Sequence, residues 1–199
     1  MKILKENSYD IVRLYVNQLG IMIFSMLLYT AVGAFENESL SSALSIFVSV
    51  FSICFYLVLV YYAVWEIGAK DKIRIDGGRM EPCKNKGLLM SLFANLPNFI
   101  LGLLTVIFLS LFLAIENDGV YAAFLIFNTI MRFHASMYLG FITAIVPTGL
   151  SAGSIDYIEF LIEAIIFTVI PILSIAVTHI AYSLGSKEKK LFSILTNRK

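Results

Sequence analysis

Charge is scarce in this sequence. Asp, Glu, Lys and Arg make up 15% of its 199 residues, against about 25% in a soluble domain. Hydrophobic residues make up 59%, and the mean hydropathy is +0.84. A soluble fold leaves much of its surface exposed whatever it buries, so water is a poor solvent for so apolar a chain. Lipid is the solvent that suits it. The net charge of +1 supplies no global field to attract nucleic acid. Cys54 and Cys83 are the two cysteines, and they offer neither a disulfide framework nor a metal spacing. His134 and His179 do not form an H-x-x-x-H pair, so no metal and no cofactor is expected. G-x-S-x-G, P-loop and H-E-x-x-H signatures are missing, and the reading leans away from an enzyme.

What the chain does have is long apolar runs. A spanning helix needs about 20 mostly apolar residues, and residues 11–34, 42–65, 88–115 and 158–184 meet this. A fifth run, 120–147, is long enough but contains Arg132 and His134. The short alternating segments of a membrane barrel are missing. The expected fold is therefore all-α: a polytopic integral membrane helix bundle of five hydrophobic segments, forming one membrane domain over residues 1–199. The first run reads as a retained span and not a cleaved leader, because Arg13, Asn17 and Gln18 interrupt it.

Lys and Arg fix the expected orientation. Lys2, Lys5 and Arg13 mark the N-terminus. Lys70, Lys72, Arg74, Arg79, Lys84 and Lys86 mark a basic loop at 68–87, and Lys187, Lys189, Lys190, Arg198 and Lys199 mark a basic tail at 185–199. Glu36, Glu38, Glu116, Asp118 and Asp156 lie in segments without bases. Both termini and the 68–87 loop are expected in the cytoplasm, with the chain in a bacterial plasma membrane. That assignment conflicts with five simple crossings. Either 120–147 enters and returns, turning near residues 132–136, or it crosses once and the basic tail lies outside. The basic tail favours the first, giving six passes in place of five. At 1.5 Å per residue, 28 residues span about 42 Å, too little for two full crossings of a core about 30 Å thick. The returning form would be a pair of short helices. Within the basic loop, residues 72–81 alternate and then break at Gly77 and Gly78, a pattern that predicts a small β-hairpin.

Polar residues recur at helical spacing. Ser91, Asn95, Asn98, Gly102 and Thr105 share one face of the third run. Pro97 interrupts that helix and frees the carbonyl of Phe93, where an asparagine side chain would fit. Ser42, Ser45, Ser49, Ser52 and Tyr56 share a face of the second run, extended through Leu59 and Ala63 to Glu66. Such small-residue seams let membrane helices pack closely. Arg13 is expected to snorkel to headgroups, and Glu66 to pair with nearby lysines. Arg132, if buried, needs a carboxylate: Glu66 if the fourth run turns near the cytoplasm, Glu163 if it continues. Glu159 and Glu163 lie one turn apart on the last run, and His179 near its end suits the helix dipole.

Intramembrane ionisable groups and a proline-broken helix point first to a small transporter or permease-like component moving a small solute or ion. Asn95, Pro97, Asn98, Arg132, His134 and Glu163 would line its path, with Ser42, Ser45, Ser49, Ser52 and Gly102 as packing seam. One alternative is a non-catalytic membrane partner or accessory subunit. A weaker one is an intramembrane enzyme acting on a lipid or isoprenoid. Expected partners are the lipid bilayer, with another membrane subunit or an ATPase, and no nucleic acid.

Overall fold

The structure, a computed structural model, describes residues 7–146 and 157–189. The expectations placed on Lys2, Lys5, Asp156 and the far tail lie outside those residues. Eight α-helices are described: α1 (Ser8–Gly33), α2 (Glu38–Asp76), α3 (Lys86–Ala94), α4 (Leu96–Ile115), α5 (Asp118–His134), α6 (Ser136–Ile145), α7 (Tyr157–Val169) and α8 (Ile172–Gly185). Among the described residues there is no strand. Four helices are long and apolar enough to cross a membrane: Ser8–Gly33, Ser39–Asp76, Leu96–Ile115, and Tyr157–Gly185 counted through its break. Their outward faces carry Leu27, Phe47, Ile115 and Ile158, each more than half exposed. Apolar exposure on that scale is stable against lipid and not against water.

Local chemistry sets the helix ends. The Asn37 side chain accepts from Leu40 N–H at 3.1 Å and starts α2. Asn117 does the same for α5, accepting from Gly119 and Val120. The helix α2 continues well past the apolar run and through the expected hairpin, which is thereby corrected. Beyond Asp76 it is capped at Gly78, which has a φ of +69°. There Gly78 N–H donates to Ile75 O and Arg79 N–H to Arg74 O, both at 2.9 Å. This is the paired closure of a Schellman cap, which needs the left-handed residue that glycine supplies most cheaply. The glycine pair therefore terminates a helix and does not turn a strand.

Proline divides two of the apolar runs. Pro97 separates α3 from α4, and Pro171 separates α7 from α8. The last run was expected as one spanning stretch, and Tyr157–Gly185 remains long and apolar enough to be one despite the break at Pro171. The fourth run is divided without proline, at Ala135 (φ −100°, ψ 21°), which separates α5 from α6.

The chain forms two compact units, and both proline breaks fall at or beside the boundaries between them. The first holds residues 7–17, 56–95 and 172–189 of those described. In it α3 packs on α8, and the inner stripe of α2 runs Val60, Val64, Ile67 and Asp71, all buried. Close approach depends on missing side chains. A Cβ on Gly87 would lie 2.5 Å from the Tyr182 Cβ, and one on Gly185 would overlap the Trp65 carbonyl. The second unit holds 18–55, 96–146 and 157–171. In it α4 packs on both α5 and α7. Gly102 lies against Thr168 and Gly140 against the Ser45 carbonyl.

Candidate functional site

The second unit contains the ionisable pair that the sequence left undecided. Arg132 Nη2 donates to Glu163 Oε2 at 2.6 Å. Glu163 is 1% exposed and the Arg132 side chain 29%. The guanidinium carbon also lies 5.7 Å from the centre of the Phe160 ring, within reach of a cation–π attraction. Phe160 in turn meets Phe124 edge to face. The partner is thus Glu163. Glu66 belongs to the first unit, where it takes Lys70 at 2.7 Å and Arg13 at 3.8 Å. These are exposed pairs that contribute little to stability. Glu66 thus pairs with a nearby lysine, as expected of it.

Around the break at Ala135, residues 134–138 are all buried. A helix normally shows one face outward, so five buried residues in a row mean that protein surrounds the turn. Ser136 Oγ donates to the Met22 carbonyl at 2.7 Å and ties the turn to α1. His134 is among the five. Gln18, Ser25, Ser49, Ser52 and Asn128 are also buried in this unit. Each has a side-chain oxygen without a hydrogen-bond partner, as has Glu163 through Oε1. Buried polar atoms are nearly always satisfied, so six such oxygens in one unit set this interior apart from an ordinary packed core.

The remaining expected residues fall as follows. Ser91, Asn95, Asn98, Gly102 and Thr105 are all buried, so their shared face does point inward. Asn95 Nδ2 donates to the Ser91 carbonyl at 2.9 Å, one turn back. Pro97 is half-buried. Along the serine seam Ser49, Ser52 and Tyr56 are buried and Ser45 partly so. Ser42 is exposed, and Leu59, at 37%, leaves the face its extension assigned to it.

One cluster was not anticipated. In the first unit Asp71 Oδ2 accepts from Lys86 Nζ at 2.5 Å and from Tyr182 Oη at 3.0 Å. Asp71 is 1% exposed, Lys86 3% and Tyr182 2%. Arg74 Nη1 lies 3.6 Å from Asp71 Oδ1. The sequence held one signal for it. Val60, Val64, Ile67 and Asp71 follow steps of four, three and four, so carrying the inner face of α2 past Trp65 places Asp71 inside.

Four long apolar helices and two buried polar clusters define a helical, membrane-embedded protein. No protein-family model, no curated protein and no solved structure matches the chain. Among the described residues, no three His, Cys, Asp or Glu side chains converge as a metal site would require.

Proposed function

We propose that this protein is a small transporter or permease-like component that moves a small solute or ion. The observation that carries the reading is the pairing of the buried Glu163 with the half-buried Arg132, beside a break in a helix and accompanied by buried oxygens without partners. Charge inside a membrane segment is costly and marks a functional path by default.

We further propose that residues 118–145 enter the membrane and return on the same side. Tyr121 meets Phe112, and Phe127 meets Phe108. The helix α5 therefore runs back along α4, away from the 116–117 link. Past the break, Ser136 meets Met22, about 16 Å along α1 from its end at Gly33. Gly140 meets Ser45, only about 10 Å along α2 from its start. So α6 climbs back towards the link that joins α1 to α2. A backbone turn at membrane depth is tolerated where protein covers it, and the burial of 134–138 supplies that cover. With this return, both termini and the 68–87 segment fall on the basic, cytoplasmic side of a bacterial plasma membrane.

The test is thiol access. In a chain with Cys54 and Cys83 replaced by serine, cysteines at Asn98, Asn128 and Ser49 should react with a small, membrane-impermeant reagent in native vesicles. Cysteines that never react would contradict the transport reading and favour the accessory subunit, whose seams are packed shut.

A further inference from the structure

Glu163 uses one of its two carboxylate oxygens. Oε2 accepts from Arg132, while Oε1 is buried and has no hydrogen-bond partner. An ionised carboxylate can only accept. A second buried acceptor, Asn128 Oδ1, also has no partner. Asn128 lies one turn before Arg132 on the same face of α5. Side chains on a helix lean towards its N-terminus, so the reach of Arg132 to Glu163 passes over the turn that bears Asn128. Two acceptors cannot satisfy each other. One proton changes that, because a carboxylic acid carries an O–H donor.

We infer that Glu163 Oε1 is a proton-binding site, that the bound proton is shared with Asn128 Oδ1, and that its arrival loosens Arg132 from Glu163. This rests on the transport reading and names the proton as the coupling ion. The balance is simple. Water supplies H⁺, the carboxylate becomes an acid, and the contact with Arg132 loses its charge–charge attraction while no covalent bond breaks. Arg132 keeps its charge, and its guanidinium already lies 5.7 Å from the centre of the Phe160 ring, a contact that does not depend on the carboxylate charge. The ionisable groups around Glu163 are few. Its own helix carries Tyr157 and the half-buried Glu159, and α4 carries none. From α5 come the exposed Asp118, Tyr121, Arg132 and the buried His134, and from α6 the buried Tyr138.

Infrared difference spectroscopy between acid and alkaline pH, on the full chain in nanodiscs, reads the site directly. The unsubstituted protein should show a protonated-carboxyl stretch that titrates. The isosteric Glu163→Gln, which still offers Arg132 an acceptor, should lose the band. Asn128→Ala should keep it at higher frequency, because the acid loses its hydrogen-bond acceptor. No titrating band, or one that survives in Glu163→Gln, overturns the proton site. A band unmoved by Asn128→Ala overturns the role of Asn128. The two claims separate cleanly. A titrating Glu163 in a protein whose interior cysteines never react defeats transport alone, and reactive cysteines without the band defeat the proton site alone.

Discussion

Asp71 holds a buried negative charge between a lysine and a tyrosine. Removing one partner of such a pair leaves an uncompensated charge away from water, at a cost of about 3–5 kcal/mol. Lys86→Met should therefore lower the melting temperature of the detergent-purified protein sharply. The double substitution Asp71→Asn with Lys86→Met should recover part of the loss, since a neutral side chain needs no countercharge. Tyr182→Phe removes one hydrogen bond to a charged group and should cost less, about 1.5–3 kcal/mol. Single and double variants that melt alike would show that Asp71 is not paired as described. At this scale the sequence was partly legible. Arg132 needed a carboxylate and Glu163 was one of two candidates, but only the course of α5 decides which is in reach. Asp71 was hidden among Lys70, Lys72 and Arg74, where a row of charges reads as solvated surface. One face of the continuing helix puts it inside.

The apolar runs announced where helices exist but not where they stop. Hydrophobicity falls away at the edge of the lipid, whereas backbone hydrogen bonding does not. So α2 runs on to Asp76 although its apolar run ends near Trp65. Its true terminator is the backbone conformation at Gly78, a signal that alternating residues before it disguised as a hairpin. Helix contacts give a contrasting pair of glycine tests. Gly140 lies against the Ser45 carbonyl, whereas Gly20, inside α1, has nothing within 4 Å of an added Cβ. Gly140→Ala forces α6 away from α2 and should destabilise by about 1–3 kcal/mol, the usual cost of overpacking. Gly20→Ala meets no neighbour and should leave stability unchanged or raise it by up to about 1 kcal/mol, from helix propensity. Thermal unfolding of the two variants side by side checks the packing of α6 specifically. Equal melting temperatures would count against it.

For the whole molecule, the proposed topology must reconcile five apolar runs with basic segments expected on one side. Charge and segment count disagreed in the sequence at residues 120–147. The helix breaks at Ala135, and Ser136 and Gly140 lie against α1 and α2; entry and return is the topology proposed from those contacts. The sequence located the turn within a few residues, because Arg132 and His134 interrupt the run there. It gave no glycine or proline to mark it. Packing against α1 and α2 holds the break instead, and packing is not written locally. Glu163 was the partner expected of a continuing run, yet Arg132 meets it beside a break in the helix. The most direct measurement is labelling of single cysteines with a membrane-impermeant maleimide in intact cells. Cysteines replacing Asn117 and Ser154, each in a chain lacking Cys54 and Cys83, flank the segment. A third chain keeps Cys83 alone. The account predicts that positions 117 and 154 label from the same, outer side, and that Cys83 labels only after the cells are opened. Labelling of 117 and 154 from opposite sides would mean a single crossing and would contradict it.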